Sequence, residues 1–346
     1  MNDSPTSRFV DACRRKPVDC TPVWFMRQAG RYQPEYRALR TKHSILDLCR
    51  TPELAAEVTM LPVTQMDLDA AIIFGDLMLP LPGLGVGFDI VENVGPVIDE
   101  PLRTEEQIRG LRKLEPARDV GFLLEALKLV RRELNGRIPL IGFGGAPFTL
   151  AAYMVEGKGS RDYRETKTMM FSRPDLFAML MDHLAGEMAV YLRAQVEAGA
   201  EVIQVFDSWV GCLGRNEYAQ HVLPHMKKLF AGLEGLTVPV IHFGTGNAPF
   251  LDLVASAGGD VIGVDWRTPM DIAWGQIGAD RAVQGNLDPT ILLADMAAIR
   301  KGADAVLAAV ANRPGHIFNL GHGVLPGTPV DNVRRLADHV HEASAR

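Results

Sequence analysis

Short apolar runs alternate along this chain with longer stretches of helical periodicity. The runs cover residues 23–26, 70–74, 138–143, 202–206, 238–243, 261–264, 282–285 and 316–320, and are rich in Val, Ile and Phe. None alternates cleanly with polar residues, which is the pattern of strands covered on both faces. Helical spacing marks residues 52–66, 120–134, 174–198, 216–233, 248–257, 289–310 and 329–345. Thr51 is placed to cap the first of these, with Pro52 at its first turn. Residues 83–102 read differently. Their Gly and Pro punctuation and the alternating stretch VGFDIVENVGPVI predict a β-hairpin insertion.

About eight strands alternating with helices predict a parallel sheet closed into a (β/α)8 TIM barrel. A doubly wound open sheet is the alternative, but no GxGxxG follows the first run. No long linker, tandem repeat or low-complexity tract interrupts the 346 residues, so residues 1–346 read as a single domain. A barrel places its chemistry just beyond the C-terminal ends of its strands. The unusual residues fall there: Arg27, Gln28 and Arg31 after the first run, Gly75 and Asp76 after the second, Gly144, Gly145 and Pro147 after the third, Asp207 and Ser208 after the fourth, and Gly321, His322 and Gly323 after the last.

Composition narrows the class. Hydrophobic residues make up 47% and charged residues 23%, enough apolar side chain for a large core. No apolar stretch of about 18 residues is free of charge, so no membrane span is expected. The start, MNDSPTSRFVDACRRK, lacks the pattern of a signal peptide. Cys13, Cys20, Cys49 and Cys212 are scattered, which suits free thiols in a reducing cytoplasm. A net charge of −6 argues against a nucleic-acid partner and makes a local cluster of cations more telling.

That cluster lies in PVWFMRQAGRYQPEYR, residues 22–37. Arginine offers a permanent charge and a planar fork matched to carboxylate or phosphate. If the segment turns helically, Arg27 and Arg31 share a face. The plain alternative is a solvated helix with ion pairs to Glu35 or Asp47. Small residues, Ala29 and Gly30, between the arginines would let a ligand approach the backbone. Asp76, in IIFGDLMLP, is a carboxylate inside an apolar run and must find donors. It is either a structural cap or partner, or a fixed charge aimed at N–H groups or a developing cation. GFGGAPFTLAAYMVEG, residues 142–157, is a glycine-rich turn opening a helix whose N–H groups could face an anion, but its spacing matches no nucleotide motif. Tyr153 in it is either core or ligand contact. FDSW, residues 206–209, offers Ser208 as a hydrogen-bond donor; without GxSxG a Ser–His–Asp hydrolase is disfavoured. His322, between glycines in NLGHGVLPGTP, is either structural or at the mouth. No HExxH or Cys/His cluster predicts a metal; His221 and His225 stand four apart around Pro224, and His242 heads HFG.

PVWFMRQAGRY and GFGGAPFTLAAYMVEG together resemble the two characteristic segments of the uroporphyrinogen decarboxylase family. The resemblance extends through FGDLMLPLPGLG, FDSW and NLGHGVLPGTP, from about Pro22 to Pro329. It implies a (β/α)8 barrel, a homodimer and an enzyme of haem and porphyrin biosynthesis that uses no cofactor. The implied substrate is uroporphyrinogen III, whose four acetates become methyls as coproporphyrinogen III forms and four CO2 leave. Matched motif by motif, the family's substrate-binding segment falls on Arg27, Gln28, Ala29, Gly30 and Arg31. Its central aspartate falls on Asp76, its tyrosine on Tyr153, its Ser/Thr position on Ser208 and its histidine on His322. The implied catalytic set is Asp76, Arg27, Arg31 and Tyr153. Corrinoid-linked methyltransferases resemble this family in fold, but their zinc-binding His-x-Cys is not met at His242, where Gly244 stands two residues on.

Overall fold

Seven parallel strands lie side by side in a curled sheet in the computed structural model, which describes residues 7–92 and 94–346. The expected reading of the first six residues as free of a leader lies outside the described residues. Nine strands occur among these residues: β1 (Ala71–Ile72), β2 (Phe88–Val91), β3 (Gly95–Ile98), β4 (Leu140–Gly145), β5 (Val202–Asp207), β6 (Val240–Gly244), β7 (Val261–Gly263), β8 (Ala282–Gln284) and β9 (His316–Ile317). The large sheet has the order β1-β4-β5-β6-β7-β8-β9, and every neighbouring pair is parallel. Between consecutive strands the chain returns through helices, as parallel neighbours require. Every residue of β4, β5 and β6 is buried, which is why their sequences are apolar without alternation. β2 and β3 form a separate two-stranded antiparallel ladder, Phe88 opposite Ile98.

The first apolar run departs from expectation. Residues 23–26 form only an isolated parallel bridge, Val23 to Phe318. Its backbone still touches both edges of the sheet. Phe318 donates its N–H to Pro22 O at 2.8 Å, and Asp69 donates to Val23 O at 2.8 Å. Trp24 N–H still reaches Phe318 O at 3.4 Å, and beyond it side chains take over: Gln28 Oε1 accepts from Phe25 N–H at 3.1 Å and Asn319 Oδ1 from Met26 N–H at 3.1 Å.

One face of each stave feeds a shared layer. Trp24, Ala70, Ile141, Val202, Ile241, Val261, Ala282 and Ile317 pack together with Phe9, Ala12 and Cys13 of the helix Arg8–Cys13. That helix therefore covers the end of the sheet where strands begin. The opposite end, where strands finish, is left for the site.

Two helices expected as continuous are broken. Residues 216–233 divide into Arg215–His221 and Leu223–Gly232, because Pro224 lacks an N–H and clashes with the preceding turn. Residues 289–310 become a short 3-10 turn, Pro289–Leu293, and a helix, Met296–Val310, that Asp295 starts by accepting from Ala298 N–H at 2.8 Å. The first part of 248–257 is likewise a 3-10 turn, Ala248–Phe250. No helix among the described residues is long and apolar enough to cross a membrane.

Candidate active site

The segment after Val23 is a run of turns, and helix begins only at Pro34. Arg27 and Arg31 therefore do not share a helical face. Arg27 sits at φ 60°, the left-handed region, which costs a side-chain-bearing residue about 1–2 kcal/mol. Surrounding bonds hold it there. Gln28 is fully buried, and its amide spans from Phe25 N–H to Ala70 O, the latter at 3.1 Å. Tyr32 donates its hydroxyl to Gln28 O at 2.7 Å. Gln33 Oε1 accepts from Gly30 N–H at 3.1 Å. Arg37 donates to the carbonyls of Arg31 and Tyr32. Gln28 thus uses its side chain to shape the loop, and the arginines project from it. Neither Arg27 nor Arg31 has an ion-pair partner among the described residues; Asp47 is engaged at the start of its own helix instead.

Arg27 is open to solvent, yet protein surrounds it on most sides. Desolvation first, then the neighbouring charge of Arg31, lowers its pKa, while Tyr153 and Asp76 act to raise it. Gly323 packs against it. A Cβ there would come within 2.5 Å of Arg27 Cδ, so only glycine lets the guanidinium stem pass.

Asp76 is half-buried beyond β1. Met78 donates its N–H to Asp76 Oδ1 at 2.9 Å, which fixes the carboxylate in a turn. Burial raises its pKa; the Met78 N–H and Arg27 pull the other way. Tyr153, on the helix Pro147–Glu156, has its phenol pushed up to about 12, by burial and then by the charge of Asp76. Arg27, Asp76 and Tyr153 are therefore close enough to feel one another's charge.

Ser208 follows β5 and is half-buried. Its carbonyl accepts from the Thr245 hydroxyl at 2.5 Å. Among the described residues no histidine bonds its hydroxyl; His242 is buried against Phe230, with ring centroids 5.1 Å apart. His322 is half-buried, with its pKa lowered to about 4 by burial and then by Arg27 and Arg267. It is neutral at physiological pH.

Two glycines of β4 serve the packing of a helix. A Cβ on Gly142 would stand 2.6 Å from Gln195 Oε1, and one on Gly144 would stand 3.1 Å from Leu192. Both Gln195 and Leu192 belong to the helix Pro174–Glu197, so these glycines let that helix lie close on the strand. Gln195 also clamps the Phe143 backbone through two bonds, of 2.9 and 2.7 Å.

Several neighbours, Asp207 apart, escaped the sequence reading. Phe143, Phe206 and Phe243 stand edge to face across β4, β5 and β6, at 5.6 and 5.9 Å. Trp209 packs between Tyr153 and Tyr163, at 5.7 and 5.8 Å. Thr149 links Trp209 to Asp207: its hydroxyl donates to Asp207 Oδ1 at 2.8 Å and accepts from Trp209 N–H at 3.3 Å. Asp207 is fully buried, and burial pushes its pKa up to about 7. Beyond β7, Asp265, Trp266 and Arg267 occupy a strand end like those already singled out, and position alone could have flagged them. Two shallow recesses lie elsewhere, one lined by Met170, Phe171 and His221 and the other by Lys227, Phe230 and Asp260; neither includes these residues. Among the described residues no three His, Cys, Asp or Glu side chains group as a metal site.

A family model described as uroporphyrinogen decarboxylase (URO-D) matches residues 4–343. The chain belongs to the uroporphyrinogen decarboxylase family. It is 53% identical over 334 residues to a uroporphyrinogen decarboxylase from Sorangium cellulosum, covering 96% of this chain and 95% of that one. It is 50% identical over 345 residues to one from Carboxydothermus hydrogenoformans, covering 100% and 97%. Among solved structures, a methyltransferase from Methanosarcina mazei superposes with a TM-score of 0.80 at 21% identity, covering 97% of this chain and 98% of that one. At that identity the likeness shows a common fold. The family's site is thus carried on an architecture that also serves methyl transfer.

Proposed function

We propose that the chain converts uroporphyrinogen III to coproporphyrinogen III, removing the four acetate carboxyls as CO2, with Asp76 at the centre of the site. As a member of its family it is a carboxy-lyase acting on uroporphyrinogen in porphyrin and haem biosynthesis. The observation that supports the residue roles is the approach of Arg27, on the loop after Val23, Asp76, beyond β1, and Tyr153, on the helix after β4, to within reach of one another's charge.

The substrate carries eight carboxylates around a ring whose four pyrrole N–H groups face inward. Arg27 and Arg31, on the turns of residues 27–31, bind side-chain carboxylates and orient the ring. Backbone at Gln28, Ala29 and Gly30 gives the ligand close approach. Asp76 accepts the pyrrole N–H groups. Ser208 and His322 supply neutral hydrogen bonds at the rim, and Tyr153 borders the reacting side chain.

Protonation of the pyrrole carbon next to the acetate makes the ring an electron sink. The carboxylate then leaves as CO2, and its bonding pair passes into the ring. A second proton converts the exocyclic methylene to methyl, and the ring proton departs. Each acetate consumes one proton overall, and the ring substitutes for a cofactor. The intermediate is cationic. Burial disfavours the charged form of Asp76, so a positive charge developing beside it stabilises the carboxylate more than the neutral ground state does.

In the same reading the Val23 segment counts as the eighth stave of a closed (β/α)8 barrel, with β2 and β3 as an inserted hairpin. The chain is then one domain, working as a cytoplasmic homodimer; sedimentation of the purified protein tests the dimer. Anaerobic incubation with uroporphyrinogen III, then chromatography of oxidised products, tests the reaction. A ladder from eight to four carboxylates is expected. No loss of carboxylates by purified, folded protein would overturn it.

A further inference from the structure

Arg267 follows β7 and is held in place from two sides. Its Nη1 donates to Asp265 Oδ2 at 2.6 Å, and its guanidinium carbon lies 3.9 Å from the centre of the Trp266 ring. Asp265 is itself fixed: Oδ2 also accepts from Gly246 N–H at 2.6 Å and Oδ1 from Arg267 N–H at 3.0 Å. Asn286 donates to the carbonyls of Asp265 and Thr268, which pins the same loop from β8. Trp266 in turn stands edge-on to His322 at 6.4 Å, and its backbone leaves no room for a Cβ on Gly321. Loops after β6, β7, β8 and β9 therefore meet at this point.

Asp265 is buried, whereas the Arg267 side chain keeps 53% of its surface exposed. Guanidinium has five N–H donors. One goes to Asp265, and the rest have no partner among the described residues. Arg267 and Arg27 both act on His322 through their charge. The two arginines thus come from distant parts of the chain to act on one histidine. A guanidinium already stacked and clamped loses little further freedom when it takes an anion.

We propose that Arg267 is a further carboxylate-binding residue, taking a side-chain carboxylate of the substrate beside His322. The proposal rests on the site reading above, in which His322 and Arg27 border the bound ring. Its test is steady-state kinetics with uroporphyrinogen for R267Q, R267K and R27Q, with melting curves and the His322 pKa by NMR. For R267Q, KM is expected to rise about tenfold with kcat within about twofold, as for loss of one charge-assisted hydrogen bond. R267K recovers part of the KM. The His322 pKa rises in R267Q, a readout that needs no substrate. A fall in kcat at unchanged KM would make Arg267 only a clasp of its loop and overturn the proposal. Unchanged kinetics in R267Q with KM raised in R27Q would also overturn it and leave the site reading intact. Unchanged KM in both variants would sink the site reading and the proposal together. Should R267Q melt far below wild type, R267K decides: KM below that of R267Q supports the proposal, and equal KM refutes it.

Discussion

At Asp76 a carboxylate is kept where water hydrates it poorly, with one backbone N–H and the charge of Arg27 as support. In the proposed role, a neutral amide of the same shape would keep one oxygen to accept pyrrole N–H groups but lose the charge. Asp76→Asn is therefore expected to lower kcat about 100-fold or more with a smaller effect on binding. Equal turnover in wild type and variant would remove Asp76 from its role. Asp207 makes a different prediction. Its folded pKa of about 7 lies above the ordinary 3.8, so the folded chain holds a proton that the unfolded chain gives up. Stability is then fullest below pH 4 on this account and declines as pH rises through 7. Asp207→Asn should flatten the slope of melting temperature against pH between those limits. An unchanged slope would show that Asp207 does not titrate there. Gly323 links residue to site most directly. Gly323→Ala must displace the Arg27 stem, and KM for uroporphyrinogen should rise.

At the scale of elements, β4 shows why apolar periodicity located strands well and was silent on the packing of their glycines. The run at 138–143 became Leu140–Gly145, a fully buried strand. Its glycines suggested an anion cradle because glycine-rich turns before helices often bind phosphate. Here Gly142 and Gly144 face the helix Pro174–Glu197, a partner distant in sequence, and Gly145 lies against Leu150. Gly142→Ala would press on Gln195 Oε1 at 2.6 Å and on Ala200 Cβ at 3.0 Å. It is expected to cost about 1–3 kcal/mol in urea unfolding. The arginine loop fails in the other direction. Residues 27–31 look helical by spacing, yet a positive φ at Arg27 and the buried Gln28 amide make them turns. Side-chain bonds to backbone decide such a loop, and no periodicity records them.

Across the molecule, Asp69 ties together pieces that are far apart in the chain. Its Oδ2 accepts from Val23 N–H at 2.7 Å and lies 2.7 Å from His341 Nε2, and its Oδ1 pairs with Arg8 at 3.0 Å. One buried carboxylate thus joins the Val23 segment, the N-terminal helix and the C-terminal helix Val330–Ser344. Burial acts to lower the His341 pKa, but the bonds and charges of Asp69 and Asp67 outweigh it, and the net shift is upward. The stabilisation is therefore full below the ordinary histidine value and is lost as pH rises through the raised one. His341→Gln should cost stability at pH 6 and much less at pH 9. Asp69→Asn, which leaves cations facing a neutral amide, is expected to cost about 3–5 kcal/mol. A loss that does not vary with pH in His341→Gln would show that packing, not charge, holds this end.

The parallel α/β class, most strand positions and the family were legible in the sequence by itself. They depend on local periodicity and on long motifs such as PVWFMRQAGRY, which survive without knowledge of the fold. The strand-end rule also found Arg27, Asp76, Ser208 and His322 as candidates, since a polar residue after a buried strand has few places to go. Only the tertiary structure showed that Arg27, Asp76 and Tyr153 share one field, that Gln28 is occupied inside its loop, and that Arg267 and Trp266 stand beside His322. Those relations join residues as far apart as Arg27 and His322. Charge and contact act across space, and the spacing of residues along the chain does not carry them.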